Sequence, residues 1–146
     1  MGRRWIVIDP GFEHKDSHHM IVNNQITSAG ESDEVIIVAG INLDASPLNL
    51  NAQIIPFFDI NLYPVNYHNL PMFEYVNIRD SFVRKLMELF ERLKPTENDC
   101  LILHTAFSYL YEALARVMLR LSFNDYSIFI STMFSPGRVV EFGDVS

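Results

Sequence analysis

The residues able to do chemistry gather in two short stretches of this 146-residue chain. The first is Asp9-Pro10-Gly11-Phe12-Glu13-His14-Lys15-Asp16-Ser17-His18-His19. It holds three of the five histidines beside several acids. Imidazoles change charge near neutral pH, so such a loop could move protons or hold hydroxyls. If it runs into a helix, free backbone N–H groups there also favour an anion or a sugar hydroxyl, with Asp16 or Ser17 as the N-cap. A polar capping loop with solvated imidazoles is the plainer alternative. The second stretch is His104-Thr105, directly after the apolar run Leu101-Ile102-Leu103. A histidine there could act as a base, or could satisfy neighbouring backbone groups. Thr105 is expected to cap the helix that follows. His14 and His18 have the i, i+4 spacing of two metal ligands, but H-E-x-x-H is absent and no metal site is expected.

Other chemistries lack their residues. One glycine in the first loop is no G-x-G-x-x-G phosphate cradle. There is no G-x-S-x-G elbow and no Walker lysine. The single cysteine, Cys100, allows no intrachain disulfide, points to a reducing, cytoplasmic compartment and reads as core. With 18 acids against 11 bases, a net charge of −7 speaks against broad contact with nucleic acid. No apolar run reaches the ~18 residues of a membrane span.

The elements that must position these residues follow from hydrophobic period. Trp5-Ile6-Val7-Ile8 and Val35-Ile36-Ile37-Val38-Ala39 are unbroken apolar runs, as is Leu101-Ile102-Leu103, and residues 126–130 make the last apolar strand. Such runs mark strands buried on both faces. Residues 54–58 predict a further strand, which Pro56 confines to an edge or a bulge. His18, Ile21, Val22, Ile26 and Ala29 have helical spacing, with Gly30 closing the helix. Residues 78–93 form the clearest helix, with Ile78, Phe82, Leu86, Leu89, Phe90 and Leu93 on one stripe and Pro95 beyond its end. Phe107, Leu110, Leu114, Val117 and Leu121 mark another. Residues 41–77 are least regular. Of their aromatic residues, Phe57, Phe58, Tyr63, Tyr67, Phe73 and Tyr75 could line a sugar or lipid acceptor pocket, and at least half are expected to pack. The order β-α-β-β-α-β-α-β predicts an α/β fold, Rossmann-like and doubly wound, with a mostly parallel sheet of about five strands and helices on both faces. Residues 1–146 make one such domain, and ligands are expected beyond the carboxyl ends of its strands.

Three pieces of the chain resemble the N-terminal half of a GT-B-fold glycosyltransferase of the retaining, group 1 (family 4-like) kind. Ile8-Asp9-Pro10 followed by His18-His19 and Asn23 resembles a "DP…GHH…N" opening. Ala29-Gly30 leading into Glu34-Val35-Ile36-Ile37-Val38-Ala39 resembles an "A…GHEVTVIA" second strand. Asn98-Asp99-Cys100-Leu101-Ile102-Leu103-His104-Thr105 resembles an "ND.liLHT" fourth strand, followed by a helix and a strand ending in Phe134-Ser135-Pro136. The pieces span most of residues 5–136. Gly11-Phe12-Glu13-His14-Lys15 stands where many members carry paired glycines.

The resemblance implies an acceptor-binding domain of an enzyme that transfers sugar from a nucleotide-sugar, which is a substrate rather than a cofactor. His104 is then the catalytic candidate near the reacting sugar. Asp9, Gly11, His18, His19, Thr105 and Ser135 line the cleft. The implied partners are a sugar or lipid-linked acceptor and a C-terminal donor-binding domain beyond Ser146, without which the chain is inert. Peripheral membrane contact and self-association through an apolar edge are compatible with it. Two rivals differ in class: a stand-alone Rossmann-like binding or interaction module, and a metal-dependent hydrolase using Asp9, His14, His18 and His104.

Overall fold

The structure, a computed structural model, describes residues 2–46, 48–67, 69–121 and 127–132. Five strands, β1 (Arg4–Asp9), β2 (Glu34–Gly40), β3 (Gln53–Phe58), β4 (Cys100–Ala106) and β5 (Ser127–Thr132), alternate with α1 (His18–Ala29), α2 (Met72–Leu93) and α3 (Ser108–Arg120). The element order is the one that the hydrophobic runs predict. Every strand pair is parallel, and the spatial order is β3-β2-β1-β4-β5. The chain therefore winds outward from β1 to β3, crosses back through α2 to β4, and continues to β5. This is the doubly wound, Rossmann-like arrangement, with a switch point between β1 and β4.

Alternation along the strands sorts side chains to two faces. Ile6, Ile8, Ile36, Val38, Leu101 and Leu103 pack with Phe82, Leu86, Leu89, Leu110 and Leu114 of α2 and α3. Val7, Val35, Ile37 and Ala39 face the other way, onto Phe12, Leu43 and the half-buried Met20 and Ile26 of α1. Pro56 lies on β3, an edge strand, where its missing N–H costs least. Gly30 closes α1 without a positive φ. A Cβ there would come within 3.1 Å of Trp5 and Val35, side chains that would have to give by a few tenths of an ångström.

Three elements differ from their sequence patterns. Helix α2 begins at Met72 rather than at 78: its first turn holds Met72 and Phe73, which are 75% and 67% exposed and so add nothing to the inward stripe, and Pro71 stands at its N-cap. Strand β4 runs on through His104 and Thr105 to Ala106, so these residues lie within the strand rather than after it. Helix α1 turns a different face inward: Ile21 is 63% exposed, whereas His19, Asn23 and Thr27 are buried.

At the end of α2, Lys94 is the one non-glycine residue with positive φ among those described (φ 47°, ψ 61°), the left-handed geometry that favours glycine. Its N–H still closes the helix on Phe90 O at 2.8 Å. Lys94→Gly removes the Cβ strain and is expected to stabilise the domain by about 0.5–1 kcal/mol, net of glycine's greater freedom when unfolded. A thermal melt of the variant beside the native chain checks this. An unchanged or lower midpoint counts against it.

Candidate functional site

Strand alternation places the site. On β1, Asp9 follows Val7 on the α1 face. On β4, His104 follows Ile102 on that face, and Val7 pairs with Ile102. Two residues further along, the Asp9 carboxylate and the His104 imidazole therefore stand side by side at the carboxyl edge of the switch point. The β4–β5 register shifts between Leu103 and Ala106, across His104-Thr105, and such irregularities re-aim side chains. Helix α1 crosses above and lowers its polar face, His19 and Asn23 one turn apart, onto the same carboxylate.

The result is a buried, proton-ordered network. Asp9, 1% exposed, accepts from His19 Nδ1 on one oxygen at 2.6 Å. Its other oxygen lies 2.8 Å from Asn23 Nδ2 and 3.0 Å from His104 Nε2. The Asn23 carbonyl lies 3.0 Å from the same His104 nitrogen, and His104 Nδ1 meets the Thr105 hydroxyl at 2.8 Å. His19 Nε2 faces the Tyr63 hydroxyl at 2.9 Å. Burial alone would push the Asp9 carboxyl up. Hydrogen bonds and charge from His104 and His19 outweigh it and hold the carboxyl at about 2, so it is ionised. Tyr63 is pushed up to about 12 by burial, then by the nearby charge of Asp9, and stays a donor. The ionised Asp9 takes the Nδ1–H of His19, and in the neutral ring Nε2 is then the acceptor for the Tyr63 hydroxyl.

Chemically, this is an imidazole backed by a buried carboxylate, its remaining nitrogen turned toward a hydroxyl. An aspartate so placed fixes the tautomer and stabilises the imidazolium formed when Nε2 takes a proton. Asp9, His19 and His104 also offer ligand atoms that all lie within 4.8 Å of one another. To hold a cation there, both imidazoles would first have to give up the protons they share with Asp9.

Of the residues expected from sequence, Asp9, His19 and His104 meet in one cluster. Gly11 lies against it: a Cβ at this position would come 2.6 Å from His19 Cε1 and 2.8 Å from its Nε2. Thr105 serves His104 and does not cap α3, whose N-cap is Phe107. Ser17 is the N-cap of α1, although its hydroxyl bonds His14 O rather than a helix N–H. His18 is exposed beside the cluster, its ring centroid 4.1 Å from that of His19. Partial desolvation and then the neighbouring His19 lower its pKa. His14 is exposed and outside the cluster of potential ligands, so the i, i+4 pair of the sequence is not the one brought together. Ser135 lies outside the described residues. Phe57 and Phe58 are core, Tyr63, Tyr67 and Tyr75 pack against it, and Phe73 is 67% exposed. Tyr63 enters the network as a hydrogen-bonding partner, and Asn23 joins it without having been a candidate. The spacing of His19, Asn23 and Thr27, one helical turn each, is the signal that could have marked Asn23.

No protein-family model matches the chain, and no curated protein matches it. Among solved structures, it is similar to Arabidopsis thaliana UGT89C1 complexed with UDP, at 15% identity and a TM-score of 0.43, over 90% of this chain and 33% of that one. The chain thus spans about a third of the length of that protein.

Proposed function

We propose that this domain is the acceptor-binding half of a glycosyltransferase that uses a nucleotide-sugar donor, with His19 as the base that receives the acceptor hydroxyl's proton. The observation that carries the proposal is the Asp9–His19 pair at the carboxyl edge of the sheet. Its second nitrogen, Nε2, already meets the Tyr63 hydroxyl at 2.9 Å, the distance of general-base transfer. The first of the three sequence pieces that resemble GT-B enzymes holds this pair and the third holds His104, which adds weight to it. His104, whose two nitrogens are turned to Asp9, Asn23 and Thr105, then positions the carboxylate. Gly11 and His18 border the cleft. A base aimed at the incoming hydroxyl suits direct displacement with inversion, rather than the retention that the resemblance implies.

Titrating the chain with hydroxyl-bearing glycosides and phenols is expected to move the imidazole NMR signals of His18, His19 and His104. Saturating UDP should leave them in place, and nucleotide-sugars should not be hydrolysed by the chain alone. Imidazole signals moved by nucleotide and by no acceptor would overturn the assignment.

A binding or interaction module without catalysis is the second proposal. It is favoured by one observation: among the described residues, every buried side-chain nitrogen and oxygen already has a partner. Such a closed polar core can serve rigidity alone. Signals unmoved by either class of ligand would support it.

A further inference from the structure

The nitrogen that a base must expose, His19 Nε2, is covered by a residue of the chain itself. The Tyr63 hydroxyl lies on it at 2.9 Å, and the phenol is protonated, as an incoming sugar or aryl hydroxyl would be. The ring stands edge-on to Phe107 at 5.3 Å and to Tyr67 at 5.9 Å, with the His19 ring at 6.0 Å. The segment that carries it is held by the packing of Tyr63 and Tyr67 against the core and by an anchor at Leu62. Leu62 is buried, and its carbonyl accepts from the Tyr109 hydroxyl. Beyond Leu62 the backbone bonds are local: Tyr63 N to Asn61 Oδ1 at 2.9 Å and Tyr67 N to Pro64 O at 3.0 Å. Val65 at the tip is 97% exposed. Opening this turn breaks no strand pairing, since β3 ends at Phe58, and it parts Tyr63 and Tyr67 from Phe107.

We infer that Tyr63 is an internal plug: its phenol occupies the place that a ligand hydroxyl takes on His19, and binding swings residues 61–67 aside. The inference rests on His19 Nε2 being the working atom of the site. The plug makes apparent affinity depend on how often the turn is open, so a ligand must outcompete Tyr63 before it meets the base. Phenols and sugars with an accessible hydroxyl compete best, because an apolar group would leave Nε2 without a donor.

p-Cresol, the tyrosine side chain without its backbone, is the probe. Tyr63→Ala is expected to bind it about tenfold more tightly than the native chain, with movement of the His19 imidazole signals. Toluene, which lacks the hydroxyl, should bind Tyr63→Ala several-fold more weakly than p-cresol. p-Cresol binding by a folded Tyr63→Ala no tighter than by the native chain, or without effect on His19, overturns the plug. Tyr63→Phe keeps the ring and removes the hydroxyl that meets His19. Its amide exchange across residues 61–67 should rise several-fold while strand amides keep native protection, and unchanged exchange in the turn counts against the plug. Because p-cresol competes for His19 whether or not glycosides bind, a negative acceptor titration leaves this result readable.

Discussion

Asp9→Ala should destabilise the domain by about 3–5 kcal/mol, a large part of what holds an ordinary domain folded. Three donors converge on that carboxylate, from His19, Asn23 and His104. Removing it leaves the donors of His19 and Asn23 buried without an acceptor, while His104 Nε2 keeps the Asn23 carbonyl, and each orphaned donor costs about 1–3 kcal/mol before relaxation. Asp9→Asn keeps the volume but turns one acceptor into a donor, so at least one of the three goes unpaired, at a cost of about 1–3 kcal/mol. Urea unfolding of both variants at neutral pH is the measurement. A midpoint unchanged in Asp9→Ala would show that the network contributes no stability.

The same group sets an acid limit. The Asp9 carboxyl titrates at about 2 in the folded chain against 3.8 ordinarily, so the unfolded chain binds its proton first as pH falls. Its stabilisation, on the order of 2 kcal/mol, is present above about 4 and is lost as pH falls toward about 2. The Asp9→Asn variant, already weakened at neutral pH, should lack this component. The stability curves of the two proteins should therefore converge through that window.

Gly11→Ala should disable the site with a single methyl group. The added Cβ would stand 2.6 Å from His19 Cε1, 2.8 Å from Nε2 and 3.0 Å from Leu62 Cδ2. An imidazole on an open surface would swing away cheaply. Here the ring is held on one side by Asp9 and on the other by Tyr63, so it can move only by breaking one of those bonds. Overpacking of this kind costs about 1–3 kcal/mol, and a displaced His19 loses its aim at any incoming hydroxyl. The expected outcome is a fold that survives with lowered stability, His19 imidazole signals far from their native positions, and loss of the acceptor-induced shifts. Native His19 signals in Gly11→Ala would mean that the backbone, not the ring, gives way.

Local pattern carries far in this chain. The unbroken run Val35-Ile36-Ile37-Val38-Ala39 can be satisfied only by a strand covered on both faces, and it is so covered. The stripe through Phe82, Leu86, Leu89 and Phe90 points inward as its spacing requires. Pro56 announces an edge strand because it cannot donate to a ladder. These properties belong to a residue and its near neighbours, so a linear reading captures them.

The site depends on relations that no local pattern holds. Helix α1 buries His19, Asn23 and Thr27 while leaving Ile21 in solvent, so a search for apolar periodicity selects a different face of that helix. The polar face turns inward because Asp9 waits beneath it, and a buried carboxylate without donors would be far costlier than an exposed isoleucine.

What the chain's residues determine by themselves is therefore the α/β alternation, the inward faces of α2 and α3, and the gathering of histidines at the carboxyl edge. Tertiary structure alone decides that β4 lies beside β1, which brings His104 to Asp9, and that Tyr63 closes the second nitrogen of His19. The reason is physical: hydrophobic period is written within one element, whereas a buried charge is satisfied by partners from whichever elements the fold sets around it.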